Sequence, residues 1–319
     1  MHQEDYWKGL LLLAERIRSF DQVVDFCFIN FAETQPEVYI NRLPVPNAGS
    51  QLVLAILNPE ATIDHQQATV FYWEGSVMVL DYVYELDGDT IDFLGTYMPY
   101  CFLSIPARQR QRAIAITHYA QSLDGKIATA TNDSKWIGNE DNLVHSHHMR
   151  ALCDSILIGA STLKADRPSL TVRRVAGPNP HRIVICSSDG DFSSLQADPS
   201  SPVLVIGIGS DPCVDNTEYA QLPAGNRGQI ASAAILQHLY QRGIYGVYIE
   251  GGSATTSHFL QERAVDIVQL HLAPLIFGSG IDGFSLPCIQ TVDEAIRFDR
   301  FYYKPVGDTF MFVGEVSHA

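Results

Sequence analysis

Beyond residue 113 the chain alternates short runs of branched apolar residues with segments of helical spacing, and this alternation restricts the fold most. Strands are predicted at 113–119, 155–159, 182–186, 203–208, 246–250 and 267–272, with helices at 139–153, 231–242 and 254–263. Short β-rich runs separated by helices imply an α/β sheet covered on both faces. The end, 298–303 and 309–316 across Pro305-Val306-Gly307, reads as an antiparallel hairpin.

The first 110 residues have a different texture. A helix is predicted over 6–20, followed by aromatic and β-branched strands at 38–43, 51–57, 68–72, 76–84 and 90–97. Glu74-Gly75 and Asp87-Gly88-Asp89 read as turns, giving a small, mostly antiparallel β domain. A polar join near Pro106-Ala107-Arg108-Gln109-Arg110-Gln111-Arg112 divides 1–110 from 111–319. Charge changes there too: 6 basic against 15 acidic residues before it, 15 against 21 after it.

A formal net charge of −15 argues against general affinity for nucleic acid or anionic membrane. It also makes any local basic cluster a purposeful anion site. Cys27, Cys101, Cys153, Cys186, Cys213 and Cys288 are scattered without a Cys-x-x-Cys pair, as expected of reduced thiols. No run has the length of a membrane span, and His2, Glu4 and Asp5 are unlike a signal peptide. A cytoplasmic location is expected.

Two segments carry candidate chemistry. In 246–257 an apolar run ends in Glu250, then Gly251-Gly252, then small residues that open a helix. Such a turn lets backbone approach a ligand, and the helix start offers N–H groups to phosphate. A plain strand-to-helix turn would read the same way. In 154–174, Arg167, Arg173 and Arg174 form the densest basic patch, suited to a phosphate monoester or to solvated pairing with nearby acids. His145-Ser146-His147-His148 is set aside as a metal site because ligand spacing such as His-x-x-x-His does not occur there. These histidines are expected at a surface or in helix packing, and no metal is expected.

Five blocks then occur in order: Ser122-Leu123-Asp124-Gly125-Lys126-Ile127-Ala128-Thr129, Ser134-Lys135-Trp136-Ile137, 150–159, Asp166-Arg167-Pro168-Ser169-Leu170-Thr171-Val172-Arg173 and Glu250-Gly251-Gly252. Together they resemble the pyrimidine reductase domain of riboflavin biosynthesis, the C-terminal half of bifunctional deaminase–reductases. The resemblance covers about 113–316 and implies a dihydrofolate-reductase-like fold, a homodimer, and NADPH-dependent reduction of a ribosylamino-pyrimidine 5′-phosphate. By the same resemblance Ala120, Trp136, Thr162, Asp166, Ser187, Gly252, Ser253, Ala254, Thr255, Thr256 and Ser257 contact the dinucleotide. Ser134, Arg150, Leu170, Arg173 and Glu250 surround the substrate, and Lys126 and Glu250 are the catalytic pair.

Departures leave two other readings open: the same reduction of a different substrate in a specialised pathway, or a non-catalytic nucleotide-binding protein. Asp166-Arg167-Pro168 stands where the family usually has Asp-Asp-Pro, and Gln121 replaces a commonly small residue. The N-terminal part has no His-x-Glu followed by Pro-Cys-x-x-Cys, so the zinc deaminase chemistry of the bifunctional proteins is not expected there.

Overall fold

A computed structural model of the chain describes residues 2–31, 35–44, 51–61, 63, 67–74, 77–84, 86–135, 137–186, 192, 195, 201, 203–211, 217–225 and 228–318. The chain divides into two compact units, Met1–Ile105 and Pro106–Ala319.

The first unit opens with helix α1 (Gln3–Ser19), which buries Leu10, Leu13 and Ile17 along one face. Strands β1 (Phe26–Phe31), β2 (Pro36–Ile40), β3 (Gln51–Ile56), β4 (Ala68–Glu74) and β5 (Val77–Tyr82) form a sheet in the order β2-β1-β3-β4-β5. Its pairings are antiparallel except β3 with β4. The strand predicted at 90–97 is instead helix α2 (Gly88–Tyr97). Asp87 accepts a hydrogen bond from the Thr90 N–H at 2.8 Å, so the apparent turn residues are an N-cap. Phe93 and Tyr97, one helical turn apart, both pack edge-on against Trp7, which explains aromatic density without a strand. Helix α3 (Ser104–Arg110) follows.

The second unit contains β6 (Ile114–Gln121), β7 (Lys126–Thr129), α4 (Glu140–Leu152), β8 (Ser155–Gly159), α5 (Ala160–Asp166), β9 (His181–Ile185), β10 (Val203–Gly207) and β11 (Thr217–Gln221). Then come α6 (Ser232–Gln241), β12 (Gly246–Ile249), α7 (Ser253–Gln261), β13 (Ile267–Leu272), β14 (Gly280–Asp282), β15 (Phe298–Val306) and β16 (Thr309–Val316). Nine of these strands make one sheet in the order β11-β10-β9-β8-β12-β6-β13-β16-β15. All pairings from β11 to β13 are parallel, and β16 and β15 close the edge antiparallel. This is the mixed sheet flanked by helices that the sequence implies. Strands β7 and β14 pair separately as a short ribbon.

Neighbouring residues in the central strands send side chains to opposite faces. Leu157, Ile183, Leu204 and Ile206 join one core cluster, whereas Ile156, Ile158, Val184, Val203 and Val205 join another. Continuous apolar runs therefore mark strands buried on both sides. The described cysteines are free thiols, and among the described residues no helix is long and apolar enough to cross a membrane.

A buried carboxylate ties the start of this unit to its end. Asp266 accepts bonds from Arg112 at 2.7 and 2.8 Å and from the Ala115 N–H at 2.8 Å, and pairs closely with Arg110. Burial pushes its carboxyl pKa up, but bonds from His318, Arg112 and Ala115 outweigh that and hold it below the ordinary value. Its stabilisation is thus complete above the unfolded carboxylate value and is lost as pH falls through the lower folded value. Asp266→Ala should cost about 3–5 kcal/mol because it leaves buried cationic and N–H groups unpaired. Urea unfolding between neutral and acid pH checks this: the deficit should shrink as pH falls, and a pH-independent loss below ~1 kcal/mol would contradict it.

Candidate functional site

The parallel strands β6, β8 and β12 end side by side, and ligands in open α/β sheets collect at such carboxyl ends. Three chain segments leave these ends and wall a cleft: the β7–β14 ribbon, the start of α5 and the Glu250-Gly251-Gly252 turn. Helix α4 closes the remaining side. Asn139 caps it by accepting from the Asn142 N–H at 2.8 Å, Glu140 and Asp141 occupy its first turn, and Arg150 occupies its last. That charge order suits the helix dipole and delivers Arg150 to the strand ends.

Arg150 meets Glu250 as a bidentate pair, Nε to Oε1 at 2.7 Å and Nη2 to Oε2 at 2.6 Å, with side chains 12% and 16% exposed. Burial alone would lower the guanidinium pKa, yet the Glu250 charge and hydrogen bonds raise it. The third Arg150 bond runs from Nη1 to the Thr171 carbonyl at 3.1 Å and fixes the loop after α5.

Two cavities share Glu250, Tyr119 and Leu143 as a common wall. The smaller, about 320 Å³, is lined by Arg150, Arg173, Arg174 and His147. Burial first, then repulsion from Arg150 and Arg174, pushes the Arg173 pKa down. His147 is lowered to about 4 by burial and then by Arg150, Arg173 and Arg174. The smaller, cationic part of both shifts is what a bound anion would relieve. Arg174 also pairs closely with Glu140, and Arg173 holds Thr171 Oγ1 at 3.0 Å and Ser169.

The larger cavity, about 630 Å³, runs from Ala120, Ser134 and Ile137 to Thr162, Asp166 and Gly252. Its floor is the open start of α7, whose N-cap Gly252 makes no side-chain cap, so first-turn N–H groups remain for a ligand. The Gly252 N–H donates to Thr162 Oγ1 at 3.0 Å. A Cβ at Gly251 would stand 2.7 Å from Thr255 Cβ, and one at Gly159 would stand 2.5 Å from Thr255 Oγ1. Only glycines let these segments close around Thr255 and leave a backbone cradle. A third cavity, about 290 Å³, continues past Ser161 and Ala254 to Thr255, Cys186 and Ile208. Length, glycine cradle and open helix start together fit a dinucleotide.

The predicted site residues fall into groups. Ala120, Ser134, Thr162, Asp166, Glu250, Gly252, Ser253, Ala254 and Thr255 line the cavities just described, as do Arg150 and Arg173. Thr256 and Ser257 face inward instead: Thr256 Oγ1 donates to the Gly251 carbonyl and Ser257 Oγ accepts from the Ser285 N–H. Leu170 puts its side chain in the core with φ of 57°, a left-handed conformation that strains a residue of this size. Lys126 pairs with Asp282 at the end of the ribbon whose Ile127, Ala128 and Ile281 face the larger cavity. Trp136 and Ser187 lie outside the described residues. Arg167 caps α5 at φ of 44°.

Arg174, part of the basic patch but not among the expected substrate residues, is a pocket wall, and so is His147, which carried no such expectation. Of the two places expected for His145, His147 and His148, a surface or helix packing, the structure shows the second, with all three buried. His145 meets His118 and His271 from strands distant in sequence. The signal available was polar residues inside otherwise apolar strands, at His118, Gln269 and His271.

A mostly parallel sheet with a glycine cradle on one side of a buried ion pair and an arginine pocket on the other defines an α/β protein with a cleft at its strand ends. Residues 113–297 match the family model of the RibD C-terminal domain, and the chain belongs to that family. It is 33% identical over 198 residues to a 2,5-diamino-6-ribosylamino-4(3H)-pyrimidinone 5′-phosphate reductase of Methanothermobacter thermautotrophicus, covering 59% of this chain and 91% of that protein. Against the riboflavin biosynthesis protein RibD of Synechocystis it is 28% identical, covering 65% of this chain and 58% of that one. The Acinetobacter baumannii RibD structure matches with a TM-score of 0.64 at 19% identity, over 99% of both chains. A deaminase/reductase structure from Thermotoga maritima matches with 0.62 at 20%, covering 99% of this chain and 100% of that one. The shared fold therefore includes the N-terminal unit, which keeps that fold without the deaminase's paired zinc motifs.

Gly251→Ala should destabilise the protein by about 1–3 kcal/mol through overpacking against Thr255. Gly209→Ala, where a Cβ meets nothing within 4 Å, serves as the control in thermal unfolding. Equal midpoints for the two variants would contradict the close approach at the cradle.

Proposed function

We propose that this chain is an NADPH-dependent reductase that converts a ribosylamino-pyrimidine 5′-phosphate to its ribitylamino product in riboflavin biosynthesis. The observation that carries the reading is the Arg150–Glu250 pair standing between an arginine-lined pocket and a glycine cradle suited to a dinucleotide. The name of the 33% identical relative supplies the substrate class.

In this reading the start of α7 and the Thr162 hydroxyl hold the diphosphate, and Ala120 and Asp166 line the remainder of the dinucleotide. The cofactor, when bound, supplies the hydride that reduces C1′ of the opened pentose. Arg173 and Arg174 bind the 5′-phosphate dianion, so that remote binding energy orients the reacting end. Arg150 fixes Glu250 by two bonds, leaving carboxylate lone pairs to accept from sugar hydroxyls. Lys126, released from Asp282 by substrate, assists proton movement as the ribosylamine opens. Trp136 and Ser187 are assigned to the dinucleotide side by resemblance alone. Leu170 contributes through its backbone.

The reductase domain comprises residues 111–319, and residues 1–110 form a separate domain without the zinc deaminase's chemistry. A second copy of the chain covers the face of the β15–β16 hairpin on which Phe301 and Tyr303 of β15 and Phe310 of β16 are exposed, giving a homodimer. The free thiols suit the cytoplasm.

The test is NADPH oxidation by the purified full chain with the phosphoribosylamino-pyrimidine. Arg173→Ala should raise KM for that substrate about tenfold or more, from the loss of a charged hydrogen bond, and leave KM for NADPH within about twofold. With the dephosphorylated substrate the same variant should match the wild type. Absence of turnover, or equal sensitivity of both substrates, would contradict the assignment.

A further inference from the structure

We propose that His118, His145 and His271 form a binding site for one divalent transition-metal ion of the zinc type. It stands apart from the reductase reading and does not depend on it. Each imidazole comes from a different element, β6, α4 and β13, and one ring nitrogen of each lies within 4.8 Å of the others'. The ring centroids form a nearly equilateral triangle with sides of 5.5, 5.2 and 5.5 Å.

Strand register brings them together. Gln269 pairs with His118 across parallel strands, and His271 follows Gln269 by two residues. All three side chains therefore point to one face, the face on which α4 presents His145. Burial is nearly complete, at 5%, 3% and 0% exposure for His118, His145 and His271. An environment this buried disfavours a charged ring. Neutral imidazole is the form that donates a lone pair to a metal.

Two further observations point to a ligand. Both ring nitrogens of His271 are buried without a hydrogen-bond partner, which is costly unless something else occupies them. The other two rings have the support that ligating histidines carry. His118 Nε2 lies 3.0 Å from Asn142 Oδ1, and His145 Nε2 lies 3.2 Å from Gln269 Oε1. These amide contacts orient the two rings, as the partners of ligating histidines do. Three imidazoles select zinc, cobalt, nickel or copper over magnesium or calcium, and they leave a fourth position for water. Nitrogens bound at ~2.0–2.1 Å to one tetrahedral ion stand ~3.3 Å apart, so the rings draw inward on binding. His118 also lines the arginine cavity, which gives the cluster access to solvent.

The experiment uses the full chain, stripped with a chelator and titrated with Co²⁺ or Zn²⁺. One ion per chain should survive gel filtration, Co²⁺ should show the intense visible bands of four-coordinate cobalt, and Zn²⁺ should raise the melting temperature. His271→Leu should lose retained ion, bands and thermal shift, whereas His181→Gln, outside the cluster, should keep them. If His271→Leu does not fold, X-ray absorption of the zinc-loaded wild type decides, with three imidazoles in the metal shell expected. Fewer than three imidazoles, no retained ion, or bands unchanged in a folded His271→Leu would overturn the proposal.

Discussion

The Arg150–Glu250 ion pair is the interaction around which the second unit's cleft is organised. Two charges with little exposure face each other at the strand ends. Each would be expensive to bury alone, so the bidentate geometry and the Thr171 carbonyl are conditions of their being there. The pair links α4, β12 and the loop following α5. Those segments supply the arginine pocket on one side and the glycine cradle on the other. A shift of α4 by part of a turn would unpair Glu250 and open both cavities together.

Strand order explains why these segments converge. β12 enters the sheet between β6 and β8, although it follows them by about a hundred residues of chain. Insertion there places the Glu250-Gly251-Gly252 turn beside the ends of both earlier strands. Gly159 and Gly251 then close on Thr255 from two sides, and the first turn of α7 is left open to the cleft. The same layering buries polar residues of β6 and β13 under α4, where the histidine cluster forms. The N-terminal unit has its own sheet and helices, and the likeness to the Acinetobacter baumannii RibD structure extends over it although its sequence lacks the paired zinc motifs.

Much of this was legible in the chain because local signals agreed with the global fold. Apolar runs at 155–159 and 267–272 are strands with those bounds, and Glu250 followed by two glycines ends a strand where ligands gather. Three kinds of residue were not legible. Residues 90–97 carry aromatics at a spacing that serves strand or helix, and only the Asp87 cap decides between them. His118, Gln269 and His271 become neighbours through register, which no single segment encodes. Lys126 has a sequence context pointing to the cleft, but its ammonium is paired with Asp282, a partner 156 residues away.

The direct test of the central interaction is a double-mutant cycle in urea unfolding with Arg150→Met, Glu250→Gln and the combined variant. Arg150→Met alone should cost about 3–5 kcal/mol, because it strands the Glu250 charge. The double variant should recover about 1–3 kcal/mol relative to additivity. Additive losses, with a coupling below about 0.5 kcal/mol, would contradict the claim that this pair holds the cleft together.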